Sequence, residues 1–154
     1  MLQLSLMRHA NSDCNNYNGN DFDRAISKIG IKKTILVSEY LKKKKIFFDL
    51  IFCSPAVRTK QTLKHLIKNT SFDTSKIVED NDLYNGNEDN FLLKLSYLNN
   101  YKNLLIVTHE PKIEYLINYF LNESQEQLKP LNFRIVTSSI ITIEFNLNLW
   151  KNIS

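Results

Sequence analysis

Three short apolar runs, at 2–7, 48–53 and 103–108, each end abruptly in polar or cationic residues and hand over to a stretch of helical period. Runs of this length, bounded in this way, fit strands buried on both faces. Strands alternating with helices imply a mostly parallel central sheet with helices on both sides, a three-layer α/β/α sandwich. In such sheets binding groups collect beyond the carboxyl ends of the strands. What stands there is Arg8-His9 after the first run, 54–58 after the second and Thr108-His109 after the third. Three separate stretches are thus expected to meet on one rim.

The intervening segments read as follows. Residues 8–22 are polar and Asn-rich, a loop. Ser27 is an expected N-cap for a helix over 27–44, with Ile29, Leu36, Val37, Tyr40 and Leu41 as its apolar face. Ser54 and Pro55 supply an N-cap and a first-turn proline for a helix to about Asn69. A weak strand is expected at 76–79, a loop at 83–87, a helix over 88–98 and another from Glu110-Pro111 to about Asn122. A loop holding Pro130 precedes one or two closing strands within 133–150. The 154 residues, with only three Gly and three Pro, leave no room for a long linker, so a single domain over 1–154 is expected. No apolar stretch approaches the roughly 20 residues of a membrane span. No secretory leader is visible either, and two cysteines without metal-like spacing fit a reducing cytoplasm.

Formal net charge is +4. Much of that excess is the run 42–45, four lysines at a helix end, where cations complement the helix dipole. No basic-aromatic interleaving suggests a nucleic-acid platform, and no membrane partner is expected.

The rim itself would hold Arg8, His9, Arg58 and His109 with no acid in view to neutralise them. Two guanidiniums and two imidazoles form a pocket for a phosphoryl group, whose oxygens match the planar arginine fork. Helix N-termini near Pro55 and Pro111 would add their positive ends. Neighbouring cations keep an imidazole neutral, and a neutral imidazole can attack phosphorus.

These stretches resemble a known family. "LMRHANSD" is similar to the Arg-His-Gly motif of the histidine phosphatase superfamily, the phosphoglycerate mutase-like fold, with Ala10 in place of the usual glycine. "SPAVRTKQT" resembles its Ser-x-x-x-Arg-x-x-x-Thr segment and "VTHEP" its second-histidine segment. "RAISKIG" and "TSSI" resemble segments of the bacterial phosphohistidine phosphatases of the SixA type, as does the short length. The resemblance implies that His9 is the nucleophile and that Arg8, Arg58 and His109 bind the phosphoryl group, with Arg24 as a further contact. It implies a phosphatase that needs no cofactor or metal and acts on a phosphorylated substrate, such as a phosphohistidine-bearing phosphotransfer protein. In larger members a carboxylate after the third strand protonates the leaving group. The candidates here are Glu79, Asp80 and Asp82, of which Asp82 is best placed by pattern. A phosphatase of small phosphomonoesters and a non-catalytic phospho-ligand module remain the alternatives.

Other chemistries fail on spacing. Cys53 and Arg58 enclose four residues, one of them Pro55, where a cysteine-phosphatase loop needs five and their backbone N–H groups. Cys53 is expected to point into the sheet. The stretch from Asp13 lacks the glycine and the final glutamate of a calcium loop. The three histidines, His65 included, have no close ligand spacing for zinc.

Overall fold

A computed structural model describes residues 1–13, 19–68, 70, 72–123 and 134–153. Its strands are β1 (Leu2–Arg8), β2 (Leu50–Cys53), β3 (Ile77–Glu79), β4 (Asn103–Thr108) and β5 (Ile140–Phe145). They form one sheet in the order β3-β2-β4-β1-β5. The β1–β4, β2–β4 and β2–β3 pairs are parallel, and β5 runs antiparallel to β1 along one edge. The helices are α1 (Lys28–Lys43), α2 (Val57–Ile67), α3 (Glu88–Ser96) and α4 (Lys112–Glu123).

The strand period of two sorts the apolar side chains into two cores. Leu2, Leu4, Leu6, Leu50, Phe52, Leu104 and Ile106 pack with Phe91 and Leu95 of α3 and Ile113, Leu116, Ile117 and Phe120 of α4. Met7, Ile51, Cys53, Leu105 and Val107 face the other way, onto Leu41 of α1 and Leu63 and Leu66 of α2. Continuous apolar runs are what a sheet covered on both faces requires. Trp150 closes the first core beside Phe145 and donates its indole N–H to the Tyr101 carbonyl at 2.6 Å.

Ser27 caps α1 as expected, its hydroxyl accepting the Gly30 N–H at 3.1 Å. The expected apolar face of α1 is only in part the buried one. Leu41 is buried and Val37 packs against the second core, but Ile29, Leu36 and Tyr40 are more than half exposed, and Gly30, Thr34 and Ser38 are buried instead. The α1–α2 contact runs through small residues, with the Ser38 hydroxyl donating to the Leu66 carbonyl at 2.5 Å. Close approach of the two backbones therefore replaces bulk as the packing device. A second correction falls at 54–56. Ser54 is not an N-cap, because its N–H still donates to Val107 at 3.0 Å in continuation of the sheet. The helix starts only after Ala56, which is extended at φ −59°, ψ 144°. Of the one or two closing strands expected, the described residues 134–150 supply one, β5. Cys14, Asn69 and Pro130 lie outside the described residues. No described helix is long and apolar enough to cross a membrane.

Candidate active site

The three central strands β1, β4 and β2 deliver Arg8-His9, Thr108-His109 and the lead into α2 to one end of the sheet. The expected convergence is therefore present. The backbone beyond β1 is pinned from several directions. The His9 N–H donates to the Thr108 carbonyl at 2.9 Å. The Ala10 N–H donates to Thr62 Oγ1 at 2.9 Å, and the Ser138 N–H reaches both the Arg8 and the His9 carbonyls at 3.2 Å. Ser138 takes a left-handed φ of 66° to do so, uncommon for a residue with a side chain. This is the structural content of "TSSI": the turn into β5 wraps the end of β1.

The spacing within α2 acquires a reason in the same way. Positions three and four apart share a helix face. Arg58 turns its guanidinium toward the rim, Gln61 Oε1 accepts the Ile26 N–H at 2.9 Å, and Thr62 holds Ala10. One face of α2 thus positions both the loop after Arg24 and the loop that carries His9. Gly30 is required at the start of α1. A Cβ there would stand 2.4 Å from the Asn11 carbonyl oxygen and 3.1 Å from the Ala10 Cβ.

His9 is 5% exposed, and its Nδ1–H donates to the Ala10 carbonyl at 2.7 Å. With that proton committed, Nε2 carries the lone pair. Burial pushes the His9 imidazole down to about 4, helped by Arg58, Arg8 and Arg24 and opposed by the Ala10 hydrogen bond. A neutral imidazole with a free Nε2 is the nucleophilic form. Burial and Arg58 likewise push His109 down to about 4, with Asp21 opposing. Its Nδ1 lies 3.4 Å from Thr108 Oγ1, whose own proton goes to the Leu83 carbonyl at 2.8 Å.

The arginines are held by groups the sequence reading missed. Glu110 Oε1 is 3.0 Å from Arg8 Nη1, which also donates to the Ile135 carbonyl. Asp21 spans two guanidiniums: Oδ2 lies 2.9 Å from Arg58 Nη2 and Oδ1 2.9 Å from Arg24 Nη2. The Asp21 carbonyl also accepts from Arg58 Nη1 at 2.6 Å. The expectation that no acid faces the cationic rim is therefore corrected. The clue was the Asp21–Arg24 spacing, which looks unremarkable inside an Asn-rich loop. Arg58 Nε and Arg8 Nε remain buried donors with no hydrogen-bond partner among the described residues. Buried donors of this kind are costly unless a ligand meets them.

Tyr84 is a further unforeseen neighbour. Its ring lies 5.4 Å from the His109 ring, 5.0 Å from Phe22 and 6.0 Å from the Arg58 guanidinium carbon. Asp82 is placed differently from the expected acid: its carboxylate meets Lys94 Nζ at 2.8 Å. Asp80 shares that lysine at 2.7 Å, and Glu79 pairs with Lys60 at 3.6 Å. Gly86 lies against Asp82 so closely that a Cβ there would come within 2.2 Å of its Oδ1. Cys53 is buried as expected, with its thiol pushed up to about 12, chiefly by burial. That rules it out as a thiolate nucleophile near neutral pH.

Comparison with known proteins bears on the fold and the family. The structure superposes on a protein histidine phosphatase SixA complexed with tungstate at a TM-score of 0.81 and 21% identity, covering 99% of this chain and 91% of that one. An alpha-ribazole phosphatase from Shigella flexneri follows at a TM-score of 0.72 and 17% identity, covering 96% and 93%. A phosphoserine phosphatase from Entamoeba histolytica in complex with 3-phosphoglyceric acid gives 0.66 at 17% identity, covering 92% and 90%. At such identities these likenesses establish the fold. No curated protein sequence matches. The model of the histidine phosphatase superfamily (branch 1) matches residues 4–87, which take in Arg8, His9, Arg24 and Arg58, and the chain belongs to that superfamily.

Proposed function

We propose that the chain is a phosphatase of protein-borne phosphohistidine working through a covalent intermediate on His9. The observation that carries this reading is the His9 imidazole, neutral and with Nδ1–H given to Ala10, among Arg8, Arg58 and His109. His9 Nε2 attacks phosphorus, a new P–N bond forms, and the P–N bond to the substrate imidazole breaks. The departing nitrogen takes its proton from solvent. Water then attacks phospho-His9, releasing inorganic phosphate and restoring the neutral ring. The guanidiniums meet the charge on the equatorial oxygens.

Two features support phosphohistidine over an alkyl ester. Phe22 and Tyr84 meet edge to face beside the anion site, and their aromatic surface suits an aromatic leaving group. An imidazole also leaves without the strong acid an alkoxide needs. Asp82, engaged by Lys94, then serves to hold the turn after β3 rather than to donate a proton.

Rates on a phosphohistidine protein, phosphoramidate and an aryl phosphate test the reading, run on wild type, His9→Ala and Asp82→Asn. His9→Ala should lose at least about a thousandfold, as expected for a covalent nucleophile. Asp82→Asn should change the phosphohistidine rate by less than about threefold. A wild-type preference for phosphomonoesters, together with a large Asp82→Asn loss, would move the substrate to that class. No turnover of any of the three would leave a binding module.

A further inference from the structure

Arg58 is a 2% exposed guanidinium, and a charge so buried needs an anionic partner even before substrate arrives. Asp21 is that partner. Its two carboxylate oxygens reach Arg58 Nη2 and Arg24 Nη2 at 2.9 Å each, and its carbonyl takes Arg58 Nη1 at 2.6 Å. A carboxylate bridging two guanidiniums occupies donors that a phosphoryl group at this rim would use. Asp21 is itself 54% exposed, in a single 3-10 turn over Asp21–Asp23, so its side chain can turn into water at little cost.

We propose that Asp21 is a tethered competitor of the phosphoryl group: it holds Arg24 and Arg58 in the free protein, yields to a dianionic tetrahedral oxyanion, and returns to help expel inorganic phosphate. This rests on the reading of the rim as a phosphoryl site. A dianion prevails because it carries more charge than a carboxylate and gives oxygen acceptors to Arg8 Nε and Arg58 Nε, which have no partner among the described residues. A weaker anion lacks that advantage, so Asp21 also selects for charge.

The effect on affinity follows from the fraction of molecules whose arginines are free. If Asp21 holds them about nine-tenths of the time, orthophosphate binding is weakened roughly tenfold. Calorimetry with orthophosphate on the full chain tests this. Asp21→Asn keeps the shape and removes the charge, and should bind orthophosphate roughly tenfold more tightly, with a lower KM and a kcat equal to or below wild type. Asp21→Glu restores a carboxylate and should move the affinity back toward wild type. Weaker or unchanged binding by Asp21→Asn would overturn the proposal and make Asp21 a residue that orients Arg58. Arg58→Ala separates the two levels of the argument. If it abolishes orthophosphate binding while Asp21→Asn fails to tighten it, only the role of Asp21 falls. If orthophosphate binds equally well without Arg58, the phosphoryl site itself is misplaced and both readings fall.

Discussion

At the carboxyl ends of β1, β2 and β4 the chain gathers charge and hydrogen bonds, while at the amino ends of β2 and β3 it leaves a hollow. That hollow, of about 460 Å3, lies among Leu41, Phe47, Phe48, Leu66 and Phe72. It is large enough for a small ligand. Yet its two carboxylates answer to local needs: Asp49 accepts the Lys102 and Asn103 N–H groups at 2.8 Å each, and Asp73 caps the turn at Ser75. No histidine lines it. At the rim, by contrast, side chains from the ends of two strands, a helix and a turn meet with partly unanswered donors. An oxyanion is recognised by the density of aimed donors, not by the volume of a hollow.

Breaking the rim should cost far more than breaking the hollow. Arg58→Ala removes a buried donor and frees Asp21, and the rate should fall roughly a hundredfold or more, as with loss of one charge-stabilising donor. A rate within a few-fold of wild type would place the phosphoryl oxygens elsewhere. Initial rates at saturating and limiting substrate would show whether the loss lies in kcat.

Acid should separate the two ends next. His9 and His109 sit at about 4 in the folded chain, below the usual 6.5. The unfolded chain therefore takes up protons first as pH falls. Stability should be full above about 6.5 and decline toward 4, by on the order of 1–3 kcal/mol for the pair after allowance for the partial exposure of His109. Denaturant midpoints at pH 7 and pH 4.5 measure this, and His9→Ala should reduce the slope. Catalysis through a neutral His9, as proposed, should survive at pH 5.5. An acid limb centred near 6.5 would mean that the imidazole is less buried in action than at rest.

The smallest effect belongs to the hollow. Phe47 is 66% exposed at its mouth, and Phe47→Ser should leave kcat/KM within about twofold, the ordinary range for a surface change. A larger loss in the phosphohistidine assay alone would show that a protein substrate touches this end as well.

Sequence made the sheet and the four convergent residues legible because both depend on local signals. An apolar run with a polar stop marks a strand end, and the stretches just past such ends carry Arg8, His9, Arg58 and His109. The packing of α1 was not legible, because Gly30, Thr34 and Ser38 bury themselves by smallness, which a search for apolar periodicity overlooks. The start of α2 was misread because Ser54-Pro55 carries the residues of a helix cap, while the sheet still claims the Ser54 N–H. Asp21 and Tyr84 were invisible for a third reason. Each reaches the site from a loop or turn whose path depends on tertiary contacts.

The close fit of Gly30 against Asn11 and Ala10 links two positions that exchange no charge and bind no ligand. Ala10 follows the histidine, and its methyl faces Gly30 across the gap. The space for one side chain is shared between positions 10 and 30, and the chain has assigned it to position 10. A survey of random variants scored by turnover would therefore count Gly30 among the intolerant positions, beside the arginines. Adding a methyl at 30 while changing Ala10 to glycine would ease only part of the conflict, because the Asn11 carbonyl oxygen stands closer than the Ala10 methyl does. A side chain at position 30 thus requires a movement of the main chain beside His9.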